Sequence, residues 1–304
     1  MVAFGVFGDR QGVARPMKDA RACSSVGVPP ARVDLVIPHM YNPGDTALRY
    51  ELRSFEKHGL LKHVHKVYLL VDNAVDKKAV QEQWRRHSQL SVVSIKDIAP
   101  PGFPWDRYHP TGTHHACSVL TMLAALIPRL EPWFVLLPDD NVLMHPFHMD
   151  MWYDFARNQP YAFAFGSANC GDTHGYANVA PLHGPSLLNT CEMWQTFEKW
   201  NPKLAFIDAV AVTTGRLRKH NIVSRTFSYA DSSYVYGKPY FIECHTNGGC
   251  STPPSDTCCV FANIQGNGVS AEYPKDSRLR SRFTSWFNNM YSQPSRFERV
   301  RRKI

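Results

Sequence analysis

The sequence predicts an α/β fold, a single domain with a mostly parallel sheet flanked by helices. Three observations carry this expectation. Short apolar runs at residues 33–37, 66–72 and 90–95 are each bounded by turn-forming or polar residues. Segments of helical spacing separate them, giving a β-α-β-α-β order with right-handed crossovers. A later run, 133–137, leads through Pro138 into two adjacent carboxylates, Asp139 and Asp140. Ligands of open α/β sheets bind at such carboxyl ends of strands.

Residues 1–30 lack periodicity and close with Pro29-Pro30, so they read as a loose leader. The strand at 33–37 (VDLVI) ends at Pro38, and Asn42-Pro43-Gly44 marks a turn in the polar loop after it. Asp45 or Thr46 caps a helix that runs to Lys57. Leu48, Leu52 and Phe55 share one face of it, and Gly59 is a natural stop. The second strand ends in the polar pair Asp72-Asn73. An amphipathic helix at 77–87 then leads to the third strand.

Residues 100–110 form a loop of Pro, Gly and aromatic residues, the kind that carries substrate contacts. A helix at 113–126 precedes the Asp-Asp strand. Further on, the pattern predicts a short helix at 146–154, whose Met149, Met151 and Trp152 belong with Phe155 to the core. A strand follows at 161–165, a loop at 169–183 and a helix at 186–200. The chain then reads as a strand at 207–212, a loop at 246–258 and a last helix at 276–291. Leu279, Phe283, Trp286, Phe287 and Met290 make the apolar face of that helix. The expected layout is a leader (1–30), one catalytic α/β domain (31–298) and a basic tail (299–304).

Composition narrows the function classes. Of 304 residues, 44% are hydrophobic and 20% charged, which are globular values. No apolar run reaches the length of a membrane span, so no transmembrane segment is expected. The N-terminus has no basic region followed by a sustained apolar one. This predicts a cytoplasmic protein, or one of the secretory pathway if the true N-terminus is missing. The formal charge is +8, and much of the excess lies near the C-terminus, from Arg278 to Lys303. A basic tail attracts anionic polymers or lipids. No nucleic-acid-binding motif accompanies it, so no nucleic-acid partner is expected. Cys244, Cys250, Cys258 and Cys259 cluster without a standard zinc spacing. They read as disulfide partners within their loop or as free thiols.

Two carboxylates held close together repel unless a cation or proton separates them. Asp139 and Asp140 thus read either as ligands of a divalent metal that grips a phosphate-bearing donor, or as a capping turn.

Several blocks of the chain resemble the Stealth family. That family comprises the hexose-1-phosphate transferases of bacterial capsule synthesis and the catalytic subunit of N-acetylglucosamine-1-phosphotransferase. The most specific blocks are Leu48-Arg49-Tyr50-Glu51-Leu52-Arg53-Ser54-Phe55-Glu56-Lys57 and the ending Gln293-Pro294-Ser295-Arg296-Phe297-Glu298. The strand ending at Asp72-Asn73, the pair His115-Ala116, and the frame from Ile127-Pro128 through Asp139-Asp140 to Pro146 add to it. So do His183-Gly184-Pro185, and Arg225 followed by Asp231. Two departures mark a divergent member. The first strand opens onto His39-Met40-Tyr41 instead of the family's Trp-containing loop, and Asn263 is followed by Ile264 where the family has an acidic residue.

The resemblance implies a GT-A-like or Rossmann-like sheet. It implies transfer of a sugar-1-phosphate from a nucleotide-sugar donor to a glycan or polysaccharide hydroxyl, with release of a nucleoside monophosphate. Asp139 and Asp140 would hold Mg²⁺ or Mn²⁺ on the diphosphate. Arg225 would pair with phosphate oxygens, and His183 would accept the hydroxyl proton. Arg53, Asp72, His115 and Asp231 would contact the donor. Each has a plainer alternative. Arg53 can pair with Glu51 or Glu56 on its own helix, Arg225 and Asp231 can form a surface ion pair, and His115 can be an N-terminal helix residue. An ordinary metal-dependent GT-A-type glycosyltransferase and an inactive carbohydrate-binding relative are the competing functions.

Overall fold

The computed structural model describes residues 28–39, 41, 46–72, 74–84, 86–98, 124–137, 139, 141–162, 185–190, 235–236, 241–243, 261–263 and 277–299. In chain order the elements are β1 (Val33–Pro38), α1 (Ala47–Lys57), β2 (Val64–Val71), α2 (Ala74–Gln83), β3 (Leu90–Ser94) and the one-turn α3 (Ile95–Ile98). Then come β4 (Trp133–Leu136), β5 (Asn141–Leu143), β6 (Tyr153–Asp154), β7 (Gln159–Ala162), β8 (Ser186–Asn189), β9 (Val235–Tyr236), β10 (Phe241–Glu243), β11 (Phe261–Asn263) and α4 (Ser277–Met290).

The main sheet has the order β3-β2-β1-β4-β8. Its first four strands are parallel, and β8 is antiparallel to β4. All six residues of β1 and all four of β4 are buried, as strands covered on both faces require. This is why their sequences are apolar without alternation, apart from Asp34 in β1. Val33, Leu35 and Ile37 pack with Leu48, Leu52 and Phe55 of α1, the helix face expected from spacing. Fully burying a Leu or Phe side chain contributes about 1.5–3 kcal/mol. Gly59 ends the α1 segment at φ 82°, a left-handed conformation that glycine adopts without steric cost.

Two smaller sheets lie beside the first, β10-β11-β5 and β6-β7-β9. Ser54 ties α1 to β5. Its hydroxyl donates to the Glu51 carbonyl at 2.6 Å and accepts the Leu143 amide at 2.9 Å. At the amino edge of the main sheet, fully buried Asp34 accepts the Glu131 amide at 2.8 Å and fixes the entry to β4. Burial raises the Asp34 pKa, although Glu131 and His65 pull it down.

The C-terminal segment is clamped onto α1 by two crossed ion pairs. Arg53 donates to both oxygens of Glu298 at 2.7 Å each and to the Tyr291 carbonyl at 3.1 Å. Arg296 donates in the same two-pronged way to Glu56, at 2.7 and 2.6 Å. Phe297 is fully buried between these pairs in sequence, and the Tyr50 ring stacks on Phe287 of α4 at 4.8 Å. No helix among the described residues is long and apolar enough to cross a membrane.

Three sequence expectations need correction. The helix expected at 186–200 begins instead as β8, because pairing with β4 from Trp133↔Asn189 to Leu136↔Ser186 overrides local propensity. The helix expected at 146–154 is a single 3₁₀ turn, Met149–Met151, followed by β6. Its Trp152 and Tyr153 are core residues nonetheless, but Phe155, expected in the core, is 52% exposed. The helix expected at 77–87 spans Ala74–Gln83, so it starts and stops earlier. The last helix and the first three strands fall where the pattern put them, to within a residue or two. The expected strand at 207–212 and the loops at 100–110, 169–183 and 246–258 lie outside the described residues.

Candidate functional site

The carboxyl edge of the main sheet is built by register. β1 and β4 pair as Asp34↔Phe134, Leu35↔Val135 and Val36↔Leu136. The ladder continues with the Leu137 amide on the Val36 carbonyl at 3.0 Å. Two residues further on, the same register sets His39 beside Asp139. His39 Nδ1 and Asp139 Oδ2 lie 2.6 Å apart. The His39 amide is itself held by the Leu70 carbonyl of β2 at 2.9 Å. Three adjacent strands therefore fix this imidazole.

The contact is sheltered: the His39 side chain is 4% exposed and that of Asp139 23%. An ionised carboxylate only accepts hydrogen bonds, so His39 donates to it through Nδ1–H. The other Asp139 oxygen makes no hydrogen bond among the described residues. Asp72 follows β2 at the same edge and is 9% exposed. One edge thus carries an imidazole and two carboxylates on three neighbouring strands.

An open carboxylate oxygen is the donor type that Mg²⁺ and Mn²⁺ select, and a buried imidazole hydrogen-bonded to it is a common means of orienting such a ligand. Asp139 fits the expected metal in that respect. Among the described residues, no three His, Cys, Asp or Glu side chains gather closely enough to hold an ion. The expected second ligand, Asp140, lies outside the described residues, as do His115, His183, Arg225 and Asp231.

Arg53 is committed elsewhere. It is six residues into α1, which descends from the carboxyl edge, so it sits about 9 Å below the helix start at 1.5 Å per residue. Its guanidinium is taken by Glu298 and the Tyr291 carbonyl, and its pKa is raised chiefly by the Glu298 hydrogen bonds. The partner is neither Glu51 nor Glu56, as helical spacing suggests, but a residue 245 positions away.

His39 is the site residue that sequence reasoning missed. Its signal was present, because Ile37-Pro38-His39 and Leu137-Pro138-Asp139 share one spelling: an apolar strand, a proline, then a polar side chain. Pro38 is the last residue of β1, and His39 is still tied to β2 through the Leu70 carbonyl as the chain leaves the sheet at its edge.

No protein-family model matches the sequence, and no curated protein does. Among solved structures the chain is similar to the galactosyltransferase LgtC. With LgtC in complex with donor and acceptor sugar analogues, the TM-score is 0.49 at 12% identity, over 89% of this chain and 98% of that one. With an active-site mutant of LgtC it is 0.50 at 13% identity, over the same shares. At such identities the likeness concerns fold. With the parallel sheet described above, it makes this chain a GT-A-like α/β fold.

Proposed function

We propose that the protein is a metal-assisted transferase acting on a nucleotide-diphosphate sugar, and that it moves the sugar-1-phosphate to a glycan hydroxyl. The observation that carries this reading is the edge formed by His39, Asp139 and Asp72 at the carboxyl ends of three parallel strands. A divalent cation bound there would neutralise diphosphate charge. The chain's own residues would do the rest. His39 holds the Asp139 carboxylate in one orientation. His183, by resemblance, would take the acceptor proton as the acceptor oxygen bonds to the sugar-proximal phosphorus. The P–O bond to the nucleoside monophosphate breaks, and the product is a phosphodiester. Such a step needs positioning and charge neutralisation more than covalent chemistry from the protein.

The resemblance in the α1 block and the Pro294–Glu298 ending supports the phosphate-transfer form. The fold likeness to LgtC supports a second reading, glycosyl transfer at the anomeric carbon. The leaving nucleotide separates them. Purified protein is incubated with Mg²⁺ or Mn²⁺ and a panel of nucleotide sugars and acceptors, and the released nucleotide is identified. A monophosphate is the expected product. A diphosphate would establish glycosyl transfer instead. Glycan binding with no nucleotide released from any donor would mark an inactive carbohydrate-binding relative.

A further inference from the structure

A cavity of about 530 Å³ opens where the end of α2 meets the first half of β3, at the opposite end of the strands from His39 and Asp139. Its rim is basic. Lys78, Arg86 and Arg299 line it with His87, against one acid, Glu82, which Lys78 meets at 4.0 Å. Trp84, among the residues lining it, is 3% exposed and lends it an apolar part. Arg299 is not a loose cation. Its Nε donates to the Trp84 carbonyl at 3.2 Å, which caps the end of α2 and fixes the charge over the groove. Arg301, Arg302 and Lys303 follow it in sequence after Val300. The clamp between α1 and the C-terminal segment brings Arg299 to the groove, since the preceding Glu298 pairs with Trp84 as a β-bridge.

We infer that this groove is an exosite for an anionic glycan whose units are joined by phosphodiesters. The inference rests on the phosphate-transfer reading above, because each such transfer leaves one phosphodiester in the glycan and repeated transfer would string them together. Each round adds one negative charge, and a chain being extended trails its earlier charges away from the reacting end. β2 spans eight residues, roughly 26 Å at about 3.3 Å per residue. The groove and the carboxyl edge are thus on the order of 20 Å apart, a distance that several sugar units bridge. Clustered cations along a groove raise the local concentration of such a ligand, and salt weakens the effect.

The test uses fluorescence anisotropy with a labelled oligomer of hexose units joined by phosphodiesters, beside an uncharged oligomer of equal length. The full-length protein should bind the charged oligomer at least about tenfold more tightly, with affinity falling as salt rises. The Lys78→Glu/Arg86→Glu variant alters two solvent-facing side chains. It should lose roughly tenfold in that affinity while keeping its far-ultraviolet spectrum and its turnover on a short uncharged acceptor. Unchanged affinity in the variant overturns the inference. So does equal binding of duplex DNA or of phosphatidylserine vesicles at matched charge, which would make the groove a general polyanion or lipid contact. The binding measurement needs no turnover, so it stays informative if no monophosphate is released; that result would remove the parent reading and leave the groove as an anion site.

Discussion

The clamp and the carboxyl edge are both made of charged groups far apart in sequence, yet they differ in what they leave over. In the clamp, each carboxylate meets a guanidinium through both oxygens: Glu298 with Arg53, and Glu56 with Arg296. At the edge, Asp139 spends one oxygen on His39 and keeps the other. A saturated pair holds structure together. A carboxylate oriented by a buried partner and left half-open is poised for a ligand. The contrast reassigns the resemblance. Its two most specific blocks are the two halves of the clamp, whereas the proposed chemistry lies at the carboxyl edge of the sheet.

The largest effects should fall on the edge. Asp139→Asn keeps the side-chain shape and removes its charge. Turnover should drop about a thousandfold, with the melting temperature nearly unchanged. Activity within a few-fold of wild type would sink the assignment of Asp139. His39→Ala should come next. Outer partners of metal ligands typically contribute 10- to 100-fold in affinity, so Mn²⁺ binding should weaken by about that much. Paramagnetic resonance of free Mn²⁺ reads this without any turnover. Equal affinity in wild type and variant would reduce His39 to a structural residue.

How legible was this beforehand? Elements whose fate is decided locally or by burial were readable. β1, Asp34 apart, and β4 are apolar without alternation because both faces are covered, and α1 shows its core face at helical spacing. β8 was not readable, since Ser186–Asn189 is a strand only through its pairing with β4. The same limit governs the site. Asp139 and Asp72 stand out as acids at the ends of apolar runs, a local signal. His39 joins them only through a parallel register that links positions 100 residues apart. The ion-pair partner of Arg53 was unreadable for the same reason. Its helix offers Glu51 and Glu56 as neighbours, but Glu298 arrives from the far end of the chain.

The clamp is where stability, not turnover, should respond. Arg53→Ala strands Glu298, whose side chain is only 12% exposed, with Arg49 at 3.8 Å as its remaining cation. Loss of about 2–4 kcal/mol in urea unfolding is expected, with turnover per folded molecule unchanged. A variant of full stability but weakened donor binding would return Arg53 to the donor site and erase the contrast. His58, at the C-terminal end of α1, gives the same region a pH dependence. Burial lowers its pKa from 6.5 to about 4, and its Nε2 is buried with no hydrogen-bond partner among the described residues, beside the Tyr291 ring. The unfolded chain therefore binds a proton in this window that the folded one does not. Stability should fall as pH drops from about 6.5 to about 4, by up to roughly 3 kcal/mol. His58→Phe should flatten that slope, and an unchanged slope would place the acid sensitivity elsewhere.

The smallest effect should come from the outer ion pair, where Glu56 and Arg296 are 31% and 36% exposed. Water screens them, so a double-mutant cycle with Glu56→Gln and Arg296→Gln should give a coupling of about 0.5–1 kcal/mol at pH 7. The Arg296 hydrogen bonds hold the Glu56 pKa below its ordinary 4.5. The contribution is therefore fully present above that value and is lost only as pH falls through the lower, folded-state pKa. This window lies below the one set by His58, so the two can be separated in a single acid titration. A Glu56–Arg296 coupling larger than that of Arg53 with Glu298 would mean that the exposed pair, not the sheltered one, holds the C-terminal segment on α1. The fixed position of Arg299 beside the basic groove would then depend on a contact that salt can loosen.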